Sequence, residues 1–302
     1  MTERIGWGIL GGARIADSSV IPGIAASRNG WLVSIASRDQ DRARELGAKH
    51  SFARVAESYE AILEDREVDA VYIPLVNSVH KEWTLRALAA GKHVLCEKPL
   101  AMNAAEAEEM AGAAQHEGLH LMEAFMYRFH PRMRAFVEGV QDPLYVDARF
   151  GFRLDAPLDY RLVSSLGGGA LLDVGCYTVN VTRWILGEPD EVFAKFRGDA
   201  SDEEAVDMTV TGLLHFPAGA TASVWASFES PEEQALMVVE REGTKHIERP
   251  FNPRDSDNPY QLMVESFADS VFEDRPVEIP PSESVANMKV LDRIREAAKA
   301  SP

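Results

Sequence analysis

Basic residues, cysteines and long apolar runs are what this 302-residue sequence has little of. Its 31 lysines and arginines face 48 aspartates and glutamates, for a formal net charge of -17. Negative charge spread over the whole chain, with no basic cluster to offset it, repels phosphate backbones and anionic lipids, so neither nucleic acid nor a membrane is an expected partner. Two cysteines, Cys96 and Cys176, are too few for a disulfide framework and fit no zinc spacing. No metal site is expected, and a reducing cytoplasm is the expected compartment. No apolar run approaches the ~20 residues of a membrane-spanning helix. The amino terminus passes from Met1-Thr2-Glu3-Arg4 directly into Ile5-Gly6-Trp7-Gly8-Ile9-Leu10, without the pattern of a secretory leader.

At roughly 150 residues per domain the length suggests two domains. In the first third, short apolar runs near 5–10, 31–37, 70–73, 93–96 and 120–122 alternate with helical patterns at 42–49, 59–63, 79–90 and 104–117. That rhythm belongs to a parallel sheet built from strand-helix-strand units. Asp39, Ser58, Ser78 and Asn103 are the expected helix caps. After about Ala124 the rhythm changes. Strand-like runs at 145–152, 206–216, 221–228 and 236–240 follow one another without helices, as in an antiparallel sheet. Helices are expected at 170–186, ending at Gly187, and at 261–273 and 282–300. The expected division is therefore 1–123 and 124–302, an α/β domain followed by an α+β domain, joined without a flexible tether.

The segment Gly8 to Ala16 follows the first strand and opens a helix, where free amides and the helix dipole attract a pyrophosphate. Gly11 and Ala16 match the first and third positions of the G-x-G-x-x-G/A pattern, whereas Ala13 replaces the second glycine. Gly11, Gly12, Ala13, Arg14 and Ile15 are thus candidate dinucleotide contacts. At the end of the second strand Ser37 and Arg38 offer a hydroxyl and a guanidinium fork to a 2'-phosphate, which favours NADP over NAD. The alternative has Asp39 accepting from a ribose hydroxyl with Arg38 simply solvated.

Two further clusters follow strands of the first domain. One holds Asn77 and His80, and the other is Glu97-Lys98-Pro99. A lysine directly after a buried strand, with its backbone restricted by proline, is aimed at the crevice where ligands of such sheets collect. In the second domain Gly167-Gly168-Gly169 leads into a helix whose Asp173, Tyr177 and Asn180 fall on one face at ~100° per residue. Such a polar stripe either faces solvent or lines a polar pocket. Arg128, at the domain junction, adds a basic group.

Glu97-Lys98-Pro99 together with Gly-Gly-Gly-Ala-Leu-Leu-Asp-Val-Gly-Cys-Tyr, and the matching positions at 8–16, 37–38, 77 and 126–128, resemble the glucose-fructose oxidoreductase/inositol dehydrogenase (Gfo/Idh/MocA) family over nearly the whole chain. The resemblance implies an amino-terminal Rossmann domain for a nicotinamide cofactor. It also implies a carboxy-terminal domain whose open, mostly antiparallel sheet contacts substrate and often forms a homodimer. Cofactor contacts are then expected from Asn77, His80, Glu97, Lys98 and Arg128 in addition to the glycine turn and Ser37-Arg38. Lys98 corresponds to the family's catalytic lysine, Asp173 to the acid that binds substrate hydroxyls, and Tyr177 to the proton-transfer residue. Most relatives carry histidine where Tyr177 stands; tyrosine is similar to the branch of NADP-dependent D-xylose 1-dehydrogenases and trans-1,2-dihydrobenzene-1,2-diol dehydrogenases. Val76 also departs from the proline that many relatives place before the asparagine. The implied activity is an NADP-dependent oxidoreductase acting on a sugar or cyclic diol, with a keto-sugar or anhydro-sugar reductase and a non-catalytic NADP-binding sensor as alternatives.

Overall fold

The computed structural model describes residues 4–197, 205–253 and 256–300, which fall into two compact units. In the first, β1 (Ile5–Leu10) is buried along its whole length, which explains a sequence with no polar alternation. It pairs in parallel with β2 (Gly30–Ala36) and β4 (Ala70–Ile73). Parallel pairing continues outward to β3 (Arg54–Val55) on one side and to β5 (His93–Cys96) and β6 (Leu121–Glu123) on the other, giving the order β3-β2-β1-β4-β5-β6. The order reverses between β1 and β4, and ligands of doubly wound sheets bind outside the carboxyl ends of the strands at that point.

The connections carry α1 (Ile21–Ala26), α2 (Gln40–Lys49), α3 (Tyr59–Glu64), α4 (His80–Ala89) and α5 (Ala104–Glu117). Asp39 and Ser58 cap α2 and α3 through their side chains. Ser78 does not cap: residues Asn77–Val79 form a 3-10 turn, and α4 starts at His80 without a side-chain cap.

The second unit contains α6 (Pro131–Glu138), β7 (Pro143–Arg153), α7 (Cys176–Leu186), β8 (Glu191–Arg197), β9 (Thr209–His215), β10 (Thr221–Ser227), β11 (Glu229–Glu240) and β12 (Gly243–Glu248). The strand order is β12-β11-β7-β10-β9-β8; β7 and β10 are parallel, and the other neighbours are antiparallel. Val146, Ala148, Val210, Leu214, Ala222, Val224, Leu236 and Val238 are buried at every second position, as one covered sheet face requires. The helix expected at 170–186 begins as a π turn over Leu171–Gly175, continues as α7 and stops at Gly187, φ +82°.

The division of the chain is not a single cut. Residues 124–130 and Asp257–Ser284, with α8 (Pro259–Phe272), belong to the first unit. Asn29 Nδ2 donates to Asp269 Oδ1 at 2.8 Å, and Trp7 packs on Phe267 with ring centroids 5.5 Å apart. The last helix, α9 (Pro281–Ala300), starts in the first unit and gives residues from Val285 onward to the second.

Candidate active site

In the first unit β1 delivers the chain to Gly11, whose φ of +128° a side chain would strain; a methyl group there would also meet Leu75 at 3.0 Å. Gly12 lies against α2, with room for a Cβ only 2.8 Å from the Arg42 stem and 3.6 Å from the Ser37 hydroxyl. The turn therefore brings Gly11, Gly12 and Ser37 together at the strand ends. Ala13, Arg14 and Ile15 follow, with Arg14 exposed. Arg38 is exposed beside Tyr59, whose phenol burial pushes above its ordinary range, opposed by the Arg38 charge and an Arg38 backbone hydrogen bond. Asp39 Oδ1 accepts from the amides of Asp41 and Arg42, each at 3.1 Å, so the ribose-binding alternative competes with a helix cap.

His80 is fully buried, with Nδ1 2.9 Å from Pro99 O and Nε2 2.9 Å from Leu75 O. It ties the loop after β4 to the loop after β5. Burial keeps the imidazole below its usual range, with the Lys98 charge in the same direction and the two carbonyls opposing. Glu97 is also buried. Its Oε1 accepts from Tyr72 OH at 2.6 Å, and its Oε2 from the Lys98 amide at 3.3 Å. Tyr260, at the start of α8, is pushed up to about 12 by burial and by Glu97, against Ser19 and Lys98. Lys98 is thus set among Glu97, His80 and Tyr260. Asn77 is buried in its 3-10 turn, and Arg128 is buried and paired with Glu283. Among the cofactor candidates, His80, Glu97 and Arg128 accordingly have protein partners that sequence reasoning did not assign. The turn, the open strand ends and Ser37-Arg38 fit a dinucleotide, and the chain's own residues fill no part of the position beyond Ser37 with a carboxylate that is uncommitted.

In the second unit Asp173, Tyr177 and Asn180 are all buried, which removes the solvent-facing reading of the stripe. The π turn between Gly169 and Cys176 changes the angular offset expected from 3.6 residues per turn. Tyr177 lies against Phe150 and Phe251, each ring centroid 5.5 Å away, and those two phenylalanines stack at 5.2 Å. Asp173 Oδ2 accepts from Arg161 Nε at 2.8 Å, and Arg161 Nη1 also faces Asp159 at 3.2 Å. Burial works against the Arg161 charge, but Asp173, Tyr160 and Asp159 outweigh it and hold the guanidinium above its ordinary range. Arg161 was missed from sequence: it lies 12 residues before Asp173, in a loop with no helical or strand period. The arrangement holds an ionised acid and a phenol on one buried helix, with aromatic rings beside the phenol. Cys96 and Cys176 are buried free thiols, and burial pushes the Cys96 thiol far above its usual range. Among the described residues no cluster of three or more metal-ligating side chains occurs, and no helix is long and apolar enough to cross a membrane.

Two family models match the chain: an oxidoreductase family with an NAD-binding Rossmann fold over residues 5–125, and the GFO/IDH/MocA C-terminal domain over 140–245. The sequence is 38% identical to D-xylose 1-dehydrogenase (NADP(+)) 2 of Haloferax volcanii, covering 97% of each chain. It is 36% identical to trans-1,2-dihydrobenzene-1,2-diol dehydrogenase of Mus musculus, over 82% of this chain and 75% of that one. Among solved structures, a 3-ketoreductase from Actinomadura kijaniata in complex with NADP and TDP-benzene superposes with a TM-score of 0.91 at 29% identity, over 98% of each chain. Matches to both domains in the expected order, with relatives aligned end to end, place this oxidoreductase in the Gfo/Idh/MocA family.

Proposed function

We propose that this oxidoreductase uses NADP to oxidise a carbinol of a sugar, at C1 of an aldose, or of a cyclic vicinal diol. The observation that carries the reading is the buried helix bearing Asp173, held by Arg161, one turn before Tyr177. Relatives that align over most of the chain and are named for NADP-dependent xylose oxidation or for dihydrodiol oxidation support it. Bound at the glycine turn and Ser37-Arg38, the cofactor supplies a nicotinamide that takes up or gives a hydride. The rest of the chemistry belongs to side chains. Tyr177 takes the proton of the reacting hydroxyl as general base. With a reference pKa of about 10, a phenol needs stabilisation of its anion to act at neutral pH, and Lys98 is assigned that positive charge. Asp173, kept ionised by Arg161, accepts from a neighbouring substrate hydroxyl and fixes the carbinol's orientation. Arg38 and Ser37 read the 2'-phosphate.

The test is a screen for NADP reduction at 340 nm across pentoses, hexoses and dihydrodiols, with NAD in parallel. Turnover with one of these classes and NADP is expected. Tight NADP binding with no turnover on any of them would instead establish a sensor. The likeness to a 3-ketoreductase supports the reverse direction on a keto-sugar as the second reading, and NADPH oxidation by keto-sugars tests it. We further propose a cytoplasmic homodimer formed through the second unit's sheet, where the register partners Phe193 and Leu213 are 58% and 48% exposed on one face. Light scattering on the wild type and on Phe193→Glu reads that directly; an unchanged mass sinks it.

A further inference from the structure

The helical run that carries Asp173 and Tyr177 begins at a turn held by a residue outside every motif described so far. Gly169 has a φ of +111°, and a methyl group on it would collide with the carboxylate of Asp207. Asp207 stands just ahead of β9, 36 residues beyond Leu171. Its Oδ2 accepts from the Leu171 amide at 2.6 Å, and its backbone carbonyl accepts from the Ala170 amide at 2.8 Å. On the other flank of the same turn, Gly169 donates to Arg161 O at 2.9 Å and Gly168 to Val163 O at 3.0 Å. The turn is therefore clamped from two sides. One clamp is Asp207, and the other is the loop whose Arg161 side chain reaches Asp173.

The first amides of a helix have no acceptor inside it, so whatever accepts from them sets where the helix starts. An acidic acceptor is also favoured by the helix dipole. Here the first turn is of π type, and Asp173 lies within it. A shift of that start moves Asp173 and, one turn on, Tyr177.

We propose that Asp207 is a positioning residue for the reaction, its carboxylate fixing the start of the 170–186 helix and thereby the aim of Asp173 and Tyr177. This rests on the reading that those two groups act on substrate. Burial pushes the Asp207 carboxyl up to about 6, opposed by the Leu171 amide, by the Arg295 charge and by backbone amides including Ala170. Arg295 is itself engaged, its Nη1 donating to Met102 O at 2.8 Å and to Asp292 Oδ1 at 3.2 Å. Arg197, whose carbonyl accepts from the Met208 amide at 3.1 Å, has its guanidinium turned to Glu229 at 3.5 Å. Asp207 consequently loses its charge as pH falls through about 6, and the clamp weakens in that window.

The experiment compares wild type, Asp207→Asn and Asp207→Ala by two measurements. The first is turnover against pH at saturating NADP and substrate. The second is hydrogen exchange of residues 169–180 by mass spectrometry, corrected for intrinsic rates. Wild-type turnover is expected to fall on the acid side with a midpoint near 6. Asp207→Asn keeps an oxygen for the Leu171 amide but cannot titrate, so it should lose that acid limb while binding NADP as before. Asp207→Ala should exchange 169–180 about tenfold faster at every pH, the opening factor expected when a cap is lost. An acid limb near 6 that survives in Asp207→Asn, or exchange unchanged in Asp207→Ala, overturns the proposal. Full activity of Tyr177→Phe and Asp173→Asn would instead overturn the reading of the reaction, whereas an inactive Tyr177→Phe beside an unaltered Asp207→Asn sinks the Asp207 role alone.

Discussion

Arg38→Ala is the sharpest perturbation of cofactor choice, because the local competitors for the 2'-phosphate are accounted for. Asp39, the one carboxylate at the tip of β2, is taken up by the amides of Asp41 and Arg42 at 3.1 Å. Ser37 Oγ accepts from the Asp39 amide at 3.2 Å, which leaves its proton to donate. A hydrogen bond to a charged group contributes about 1.5–3 kcal/mol, but Arg38 is exposed, so screening places the loss at the low end. At about 1.4 kcal/mol per decade, that is roughly tenfold weaker NADP binding. NAD, which has no 2'-phosphate, should bind Arg38→Ala as it binds wild type. Calorimetric titration of both cofactors at low and high salt measures it. The wild-type preference for NADP should shrink with salt, and Arg38→Ala should show less of that dependence. Equal losses for both cofactors, or a wild type that prefers NAD, would refute the reasoning.

Four further outcomes follow from the geometry. Tyr177→Phe keeps the ring packed on Phe150 and Phe251 but removes the transferable proton; turnover should fall by about 10²–10⁴ with NADP affinity intact, as steady-state kinetics and titration will show. Arg161→Met strips Asp173 of its buried partner, so the Michaelis constant should rise in step with that of Asp173→Asn; a normal value in either variant removes Asp173 from substrate binding. Cys96→Ala and Cys176→Ala should keep most of their activity, since both thiols are buried fillers, and loss of turnover in a folded variant would point to covalent catalysis. His93 sits at about 4, lowered by burial and by His120, against Asp274, while its unfolded value is near 6.5. The unfolded chain therefore binds the extra proton between those values, so stability should drop as pH falls from about 6.5 to 4, and denaturation of His93→Gln should show a shallower decline.

How far the fold could be read from the residues depends on where each element is buried. The first unit's inner strands are covered on both faces and read as apolar runs, so β1, β2, β4 and β5 were expected close to where they lie. Elements with little burial gave no such signal. β3 is two exposed residues, β12 buries only Ile247, β8 only Ala194 and α6 only Met133. The α1 segment was masked by Pro22 and by the π turn before it. Assignment of 257–284 to the second domain failed for a different reason. The pattern of α8 is apolar wherever it packs, and only contacts such as Trp7 on Phe267 and Asn29 on Asp269 show which core it joins.

The candidate site divides along the same line between local and distant information. Lys98, Asp173 and Tyr177 stood out because a lysine behind a buried strand, or an acid and a phenol on an apolar helix, is out of keeping with its surroundings. Their helpers are ordinary residues in ordinary places. Arg161 occupies a polar loop, and Asp207 precedes a strand, where an aspartate attracts no attention. What makes both consequential is the Gly167-Gly168-Gly169 turn, which is legible in sequence as a break but not as a junction. Its amides are accepted on one side by the Arg161 loop, and the turn gives way on the other to the Asp207 carboxylate, which a side chain at Gly169 would exclude. Three glycines in a row thus mark a place where two remote segments come within hydrogen-bond distance of a helix start, and that start sets where the acid and the phenol point.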